Sequence, residues 1–281
     1  MPIPDPPFAV RYGPWAVVAG GSDGTGAAFA HEIARRGVNV VVVARRAALL
    51  DALVGELRTT HGVEARAVAL DLSGPDAPNT LHAETADLDV GLLVYNAGAD
   101  EHMSLLLDLP DSELQAMVRR NCASVLGAVH HYGGRMVEWG RGAVVLVTSG
   151  AAWAGGSHIA TYAATKAFDL VLAESLWAEW RDHGVDVLAL VLGTTDTPSL
   201  RRLLERNGRE IGDLADPNDV AVEALDHLGD GPTWSYGMPE PQGGSPFGSL
   251  PRRDAVLLMS QGSAALLGEP VTGASTPDAG P

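Results

Sequence analysis

Residues 15–30 read W-A-V-V-A-G-G-S-D-G-T-G-A-A-F-A, and the architecture of the chain can be worked out from this stretch outward. The apolar run from Trp15 to Ala19 predicts a short buried strand. An amphipathic helix is expected from Ala27 to Arg36. Between strand and helix, three glycines follow the spacing G-x-x-x-G-x-G: Gly20, Gly24 and Gly26.

Glycines at these three positions let the backbone turn tightly and approach a pyrophosphate, whose charge then meets the N-terminal amides of the helix. Ser22 and Asp23 lie in the same turn, and we assign them to the same site. A glycine-rich turn alone could be an ordinary loop. Its position between a strand and an amphipathic helix favours a nucleotide site.

The second strand is predicted over 38–44 and is apolar throughout, as expected when both faces of a sheet are covered. Arg45 and Arg46 follow it, where a protein that binds NAD often has an acid against the ribose 2′-hydroxyl. A guanidinium binds a 2′-phosphate in bidentate fashion, whereas a carboxylate repels it. The pattern therefore favours NADP(H) over NAD(H), although Asp23 adds negative charge near the phosphates.

Further strands are predicted over 64–70, 90–95, 143–147, 185–192 and 233–236, alternating with helices over 49–61, 114–139, 160–180 and 217–228. This alternation predicts an α/β fold, with one Rossmann-like, doubly wound parallel sheet flanked by helices. Ligands bind beyond the carboxyl ends of such strands. The candidate cofactor-binding residues at those ends are Asp71, Leu72, Asn96, Ala97, Gly98, Gly193, Thr195 and Thr197. Asp71 could bond an adenine amino group or cap the next segment.

Residues 148–166, T-S-G-A-A-W-A-G-G-S-H-I-A-T-Y-A-A-T-K, carry the candidate chemistry. Tyr162 and Lys166 are four residues apart, so both lie on one face of a helix. The lysine ammonium stabilises the tyrosine phenolate, which suits proton exchange near neutral pH. Ser149 ends the preceding strand, where its hydroxyl can reach a substrate oxygen. Asn121 is polar within an apolar helix and must find buried partners.

Composition narrows the classes of partner. The formal net charge of −16 argues against a nucleic-acid-binding surface and against docking on anionic lipid. One cysteine excludes an internal disulfide, and the nine histidines show no metal-ligand spacing, so we predict no structural metal. No secretion signal and no apolar run long enough to cross a membrane are present, and we expect a cytoplasmic protein.

Four segments are expected along the chain. Residues 1–13 are proline-rich and predict a loosely held arm, and residues 14–237 form the Rossmann domain. Residues 238–267 form a C-terminal extension with a helix, and residues 268–281 predict a disordered tail. Within the domain, residues 199–214 have amphipathic helical character and are a candidate lid.

Together these motifs resemble those of the short-chain dehydrogenase/reductase family, over roughly residues 13–236. The glycine motif matches with Ala19 in place of the usual threonine, N-A-G matches at 96–98, and P-G-x-x-x-T has Leu192 in place of proline. The resemblance maps a catalytic tetrad onto Asn121, Ser149, Tyr162 and Lys166. It implies hydride transfer between the nicotinamide and a carbonyl or carbinol carbon.

The resemblance also implies a role for each member of the tetrad. Tyr162 exchanges the proton of the substrate oxygen, Ser149 polarises that oxygen, and Lys166 assists Tyr162 and holds the nicotinamide ribose. Asn121 fixes a water that leads protons to Lys166. Family members usually pair subunits through the helices near 114–139 and 160–180, so a homodimer or homotetramer is expected, with the C-terminal helix a candidate to reach a neighbour's site.

Three functions are compatible with these residues. The first is an NADP-dependent oxidoreductase that interconverts a ketone and a secondary alcohol; Trp153, His158, Leu203 and Leu204 suggest an apolar pocket for a polyketide- or steroid-like small molecule. The second is a non-redox enzyme on the same scaffold, such as a dehydratase, cyclase or epimerase that retains a nicotinamide cofactor. The third is a cofactor-sensing binding protein, which has no need of Tyr162 and Lys166 together.

Overall fold

The structure is a computed structural model that describes residues 7–100, 102–236 and 245–268. Seven parallel strands form one sheet in the order β3-β2-β1-β4-β5-β6-β7. The strands are β1 (Trp15–Ala19), β2 (Asn39–Ala44), β3 (Ala65–Ala69), β4 (Val90–Tyr95), β5 (Gly142–Ser149), β6 (Val185–Leu192) and β7 (Thr233–Ser235). The predicted α/β fold is confirmed, and the strand order reverses between β1 and β4, where such sheets open a crevice for ligands.

Ten α-helices belong to the described residues. They are α1 (Phe8–Tyr12), α2 (Gly24–Arg35), α3 (Ala47–His61), α4 (Ala77–Glu84), α5 (Asp111–Val118), α6 (Ser124–Trp139), α7 (Ala160–Trp180), α8 (Pro198–Arg206), α9 (Pro217–Asp226) and α10 (Arg252–Leu267). Helix α9 begins after Asp216, whose carboxylate accepts a hydrogen bond from the Asn218 amide at 2.7 Å.

The strands are buried on both faces because a separate apolar core covers each side of the sheet. Successive residues of a strand point to opposite faces. In β1, Ala16 and Val18 belong to the core that includes Phe29 and Val220, on α2 and α9. Val17 belongs to the opposite core, with residues of α6 and α7. This two-sided burial explains the nearly continuous apolar runs in the sequence.

One segment near the N-terminus differs from the sequence-based expectation. The loosely held arm is wrong for residues 8–12, because they form α1 and pack on the domain. Phe8 and Tyr12 are one helical turn apart with ring centroids 4.8 Å from each other, and the Tyr12 hydroxyl donates to Asp186 on β6 at 2.8 Å. Residues 1–6 and 269–281, and with them nearly all of the predicted tail, lie outside the described residues.

Three internal segments also differ. Helix α4 was not predicted, since Pro78 and the surrounding polar residues are typical of a loop; proline is nevertheless tolerated in a first helical turn. The helix expected over 114–139 is interrupted by a π-helical turn, Arg119–Ala123, between α5 and α6. In the candidate lid, only Pro198–Arg206 is helical, and residues 207–214 are not.

Candidate active site

A cavity of about 1080 Å³ opens beyond the carboxyl ends of the strands. Seventeen of the nineteen residues predicted for the site line it: Gly20, Ser22, Asp23, Gly24, Arg45, Arg46, Asp71, Leu72, Asn96, Ala97, Gly98, Ser149, Tyr162, Lys166, Gly193, Thr195 and Thr197. Gly26 and Asn121 are the two that do not. The strand ends thus bring residues from across the sequence to one space.

The glycine turn fits closely against the end of β4. A Cβ atom on Gly20, where φ is +81°, would lie 2.7 Å from the Ala97 backbone. Gly26 lies behind the cavity surface, where a Cβ would collide with the Gly20 carbonyl. The side-chain Nδ2 of Asn96 donates a hydrogen bond to that same carbonyl at 3.0 Å. Side chains larger than hydrogen would therefore separate the turn from β4.

The N-terminus of α2 is available to an anion. Its N-cap residue, Asp23, makes no side-chain hydrogen bond to the first-turn amides. The Asp23 carboxylate instead pairs with the Arg46 guanidinium at 2.5 Å, and Arg46 also donates to Ser22 at 3.0 Å. The amides thus remain unoccupied by a cap, and the acid that counted against phosphate binding is neutralised by a neighbouring arginine.

Asp71 makes a local turn at the end of β3. Its Oδ1 accepts hydrogen bonds from the backbone amide of Ser73 at 2.9 Å and from the Ser73 hydroxyl at 2.7 Å. Burial alone would raise the Asp71 pKa, but these two bonds and the charges of Arg45 and Arg120 lower it. Of the two alternatives for this carboxylate, the contacts among the described residues are those of a turn cap.

Ser149 and Tyr162 face the cavity from β5 and α7. The Ser149 Oγ accepts a hydrogen bond from the Ala151 amide at 3.2 Å, which orients the hydroxyl without using its proton. A serine hydroxyl has one proton to donate. The Ser149 proton can therefore be directed to a substrate oxygen in the space that Tyr162 also borders.

Lys166 is almost wholly buried beside the cavity, with 3 % of its surface exposed. Its Nζ donates to the Val147 carbonyl at 2.8 Å and lies 3.0 Å from the Asp169 Oδ2. A Cβ on Gly98 would come within 2.7 Å of the same Nζ. The glycine of the N-A-G motif thus leaves room for the ammonium.

Asn121 lies in the π-helical turn and is completely buried. Its Nδ2 donates to the Thr165 hydroxyl at 2.9 Å and to the Gly98 carbonyl at 3.4 Å, and its Oδ1 accepts from Arg120 at 3.0 Å. Thr165 in turn donates to the Tyr162 carbonyl at 2.8 Å. Asn121 therefore connects the N-A-G turn to the first turns of α7, and π-helical turns of this kind are frequent at functional sites.

The end of β6 leads directly into α8. Thr197 is the N-cap residue of α8, and its Oγ1 accepts from the Leu200 amide at 3.2 Å. Its side chain also borders the glycine turn, since a Cβ on Gly24 would lie 3.1 Å from the Thr197 Cβ. Thr195 is buried and donates to the Gly193 carbonyl at 3.3 Å. This connection closes the cavity on the β6 side.

The far part of the cavity is apolar. Its wall includes residues on α8, on α10 and in two loops: Met103, Ile159, Leu200, Met259 and Leu266. Leu200 belongs to the candidate lid, whereas Ile159, Met259 and Leu266 were not singled out from the sequence. Trp153 and Leu203 line it as expected. His158 and Leu204 do not, because His158 borders a separate small pocket and Leu204 is buried away from the cavity.

Helix α10 covers the cavity of its own chain rather than extending away from it. Ser260 accepts a hydrogen bond from the Ser157 amide at 3.0 Å, and Arg252 donates to the Trp153 carbonyl at 2.7 Å. Both partners belong to the segment between Ser149 and Tyr162. Helix α10 is thus fastened to the loop that precedes α7.

The described residues contain neither a cluster of metal-ligand side chains nor a helix suited to cross a membrane. No group of three or more histidine, cysteine, aspartate or glutamate side chains in that part of the chain is placed to hold a metal ion. None of its helices combines the length and the apolar character needed to cross a membrane.

Comparison with known proteins decides the family, since residues 14–208 match the model of the short chain dehydrogenases. The chain belongs to the short-chain dehydrogenase family. It is 37 % identical over 222 residues to a 7β-hydroxysteroid dehydrogenase of Collinsella aerofaciens, covering 78 % of this chain and 84 % of that one. It is 29 % identical to the human very-long-chain 3-oxoacyl-CoA reductase, covering 80 % and 77 %.

Solved structures agree with this membership. One, from work on the stereoselectivity of a 7β-hydroxysteroid dehydrogenase, superposes with a TM-score of 0.78 at 35 % identity, covering 83 % of this chain and 91 % of that one. A short-chain dehydrogenase from Sphingobium yanoikuyae in complex with NADPH has a TM-score of 0.72 at 26 % identity, covering 94 % and 98 %. Membership makes the chain an oxidoreductase of the ketone–alcohol class that uses a nicotinamide cofactor.

Proposed function

We propose that the chain is an NADP(H)-dependent oxidoreductase that interconverts a hydrophobic ketone and the corresponding secondary alcohol. One observation carries this function. Ser149, Tyr162 and Lys166 border the same cavity as the glycine turn at one end and an apolar wall at the other. A cofactor site, a proton-transfer group and a place for an apolar substrate are therefore contiguous.

The nicotinamide cofactor, when bound, supplies the hydride in reduction and accepts it in oxidation. The protein has to move one proton and stabilise charge on the substrate oxygen. In reduction, Tyr162 donates its phenolic proton to that oxygen while the Ser149 hydroxyl donates a hydrogen bond to it. The Lys166 ammonium stabilises the phenolate that is left on Tyr162.

Asn121 acts behind these groups. Its hydrogen bonds to Gly98 and Thr165 fix the position of the N-A-G turn relative to the turn of α7 that carries Tyr162. We assign it this positioning role, and a water at the π-helical turn would return protons to Lys166. The family resemblance supports this relay.

The residues around the glycine turn fit a dinucleotide with a 2′-phosphate. The first-turn amides of α2 lack a side-chain cap, and Gly20 allows the backbone approach that a pyrophosphate needs. Arg45 and Arg46 both line the cavity after β2, where no acid stands. The likeness to a solved structure that contains NADPH supports the same choice.

Titration of the protein with NADPH and with NADH, for wild type and Arg45→Glu, tests the cofactor. We expect NADPH to bind more tightly than NADH to the wild type, and Arg45→Glu to weaken NADPH binding about tenfold or more, because a guanidinium–phosphate pair is replaced by two like charges. Arg253→Glu changes the same charge on an exposed position outside the cavity and is the matched control. Failure to bind either nucleotide would remove the basis of the redox function.

The substrate class follows from the apolar wall and from the relatives. Met103, Ile159, Leu203, Met259 and Leu266 offer a surface for a rigid or extended hydrocarbon skeleton. Relatives at 32–37 % identity are named 7β-hydroxysteroid dehydrogenases, which supports a steroid-like ketone. A screen with NADPH should include a 7-oxosteroid, a polyketide-like ketone and a 3-oxoacyl thioester; activity confined to small polar ketones would contradict this class.

We also propose that the chain forms a homodimer or homotetramer. Val118, Leu126 and Val171 lie on α5, α6 and α7 with 41 %, 51 % and 59 % of their surface exposed. Covering these apolar side chains is favourable. Light scattering coupled to size-exclusion chromatography tests the assembly, and a monomer at micromolar concentration would contradict it.

A further inference from the structure

Asp169 is a buried acid that lies on α7 one turn beyond Lys166. Its side chain is 4 % exposed, and its Oδ2 lies 3.0 Å from the Lys166 Nζ. Its Oδ1 has no hydrogen-bond partner among the described residues. A buried ion pair with an unsatisfied oxygen is a poor source of stability, because desolvation offsets the attraction. Packing alone therefore gives no reason for an acid here.

The position of Asp169 fixes the direction of the lysine. Tyr162 precedes Lys166 by four residues and Asp169 follows it by three, so all three lie on one side of α7. An ammonium has three N–H donors. The Val147 carbonyl and the Asp169 carboxylate each take one, and the Nζ lies next to Gly98 at the cavity surface. One N–H remains for the cavity.

Titratable groups pack around this ion pair. Burial raises the pKa of Asp169, although the charge and the hydrogen bond of Lys166 oppose that shift. Tyr95 on β4 is buried, and burial, followed by the charge of Asp169, raises its pKa. Burial raises the pKa of Cys122 on the π-helical turn to about 11, with Asp169 adding to the effect. Both groups are thus neutral near pH 7. Arg120, which is also in the π-helical turn, donates hydrogen bonds to the Ala99 carbonyl and to the Asn121 side chain.

We propose that Asp169 is a positioning residue that keeps the buried Lys166 protonated and directs its remaining N–H toward the cavity. The inference rests on the proposed function only in its consequence for Tyr162. A lysine that loses its charge upon burial can no longer stabilise a phenolate. Asp169 thereby extends the pH range over which Tyr162 works.

The chain offers an unusually direct test, since Lys166 is its only lysine. In protein labelled with ¹³C at the lysine Cε, a single side-chain signal reports the protonation of Lys166, without cofactor or substrate. We expect the titration midpoint of this signal to lie at least about one pH unit lower in Asp169→Asn than in wild type, because an adjacent opposite charge shifts a pKa by about 1–3 units. Asp169→Glu restores the charge and should recover most of the shift.

Glu179→Gln is the matched control, because it removes an exposed carboxylate from the same helix. If Asp169→Asn does not fold, Asp169→Ser carries the same expectation, with room for water beside the Nζ. Identical midpoints in wild type and in the folded neutral variant would overturn the proposal.

The consequence for catalysis is measured separately as the pH profile of kcat for alcohol oxidation. In Asp169→Asn the alkaline limb of this profile should move to lower pH by a similar amount. One pH unit above the midpoint of the shifted limb, kcat should be roughly tenfold below its plateau value. An unchanged profile would overturn the link to Tyr162. Absence of turnover in wild type with every ketone and alcohol would contradict the proposed function, while the lysine signal would still decide the role of Asp169.

Discussion

At the scale of single residues, the candidate chemistry depends on which proton donors remain free. The Ser149 Oγ accepts a backbone hydrogen bond and keeps its own proton, whereas Lys166 commits two of its three N–H donors to protein groups. The Tyr162 hydroxyl borders the cavity and makes no hydrogen bond to the described part of the chain, although its ring packs against apolar neighbours. The hydroxyl can therefore be removed with little effect on stability.

Tyr162→Phe should lower kcat roughly 10²–10⁴-fold, which is the usual contribution of a positioned general acid or base. The dissociation constant for NADPH should change little, because the aromatic ring stays in place. Tyr236→Phe, at the end of β7 and outside the cavity, is the control. A binding protein that only senses the cofactor would bind NADPH equally well before and after the change and would show no turnover in either form. Redox turnover retained in Tyr162→Phe would contradict the role assigned here.

At the scale of elements, the strand ends were predictable, whereas the walls of the cavity were predictable only in part. Parallel strands bring their carboxyl ends to one edge whatever their loops do, so the glycine turn, Asn96 and Ser149 could be placed from the sequence. The apolar part of the site depends on α10. This helix follows the end of the strand–helix alternation, and the spacing of its apolar residues does not indicate that it covers the cavity. Thr165 and Asp169 were also missed, because their roles depend on contacts with Asn121 and Lys166 rather than on a motif.

Helix α10 gives a prediction that separates substrate binding from cofactor binding. Met259 and Leu266 line the apolar wall, while Leu258 on the same helix is 46 % exposed and does not. Full burial of such a side chain contributes about 1.5–3 kcal/mol, and 1.4 kcal/mol is tenfold in affinity. Met259→Ala should therefore raise KM for a hydrophobic ketone about five- to tenfold and leave NADPH binding unchanged. Leu258→Ala is the matched control, and an equal effect of both changes would show that α10 acts through stability alone.

At the scale of the whole molecule, the carboxylates and the histidines together determine how the free energy of unfolding depends on pH. Burial lowers the pKa of His61, His82 and His131, and a neighbouring basic side chain lowers it further: His31 beside His61, His131 beside His82, and Arg135 beside His131. The His82 and His131 rings stack with centroids 3.8 Å apart, so protonation would place two like charges in contact. The carboxylates with lowered pKa, such as Glu32 and Asp71, titrate only at more acidic pH.

Because these histidines bind protons less readily in the folded state than in the unfolded state, their contribution to stability is complete above the ordinary histidine pKa of about 6.5. It is lost progressively as the pH falls through that value toward the lower folded-state pKa. We expect Tm to fall by a few degrees between pH 7 and pH 5. His82→Gln removes one of the stacked rings and should make Tm less dependent on pH in this window, whereas His183→Gln, at an exposed position, should not. A Tm that rises on acidification, or an unchanged slope in His82→Gln, would mean that other groups control stability between pH 5 and pH 7.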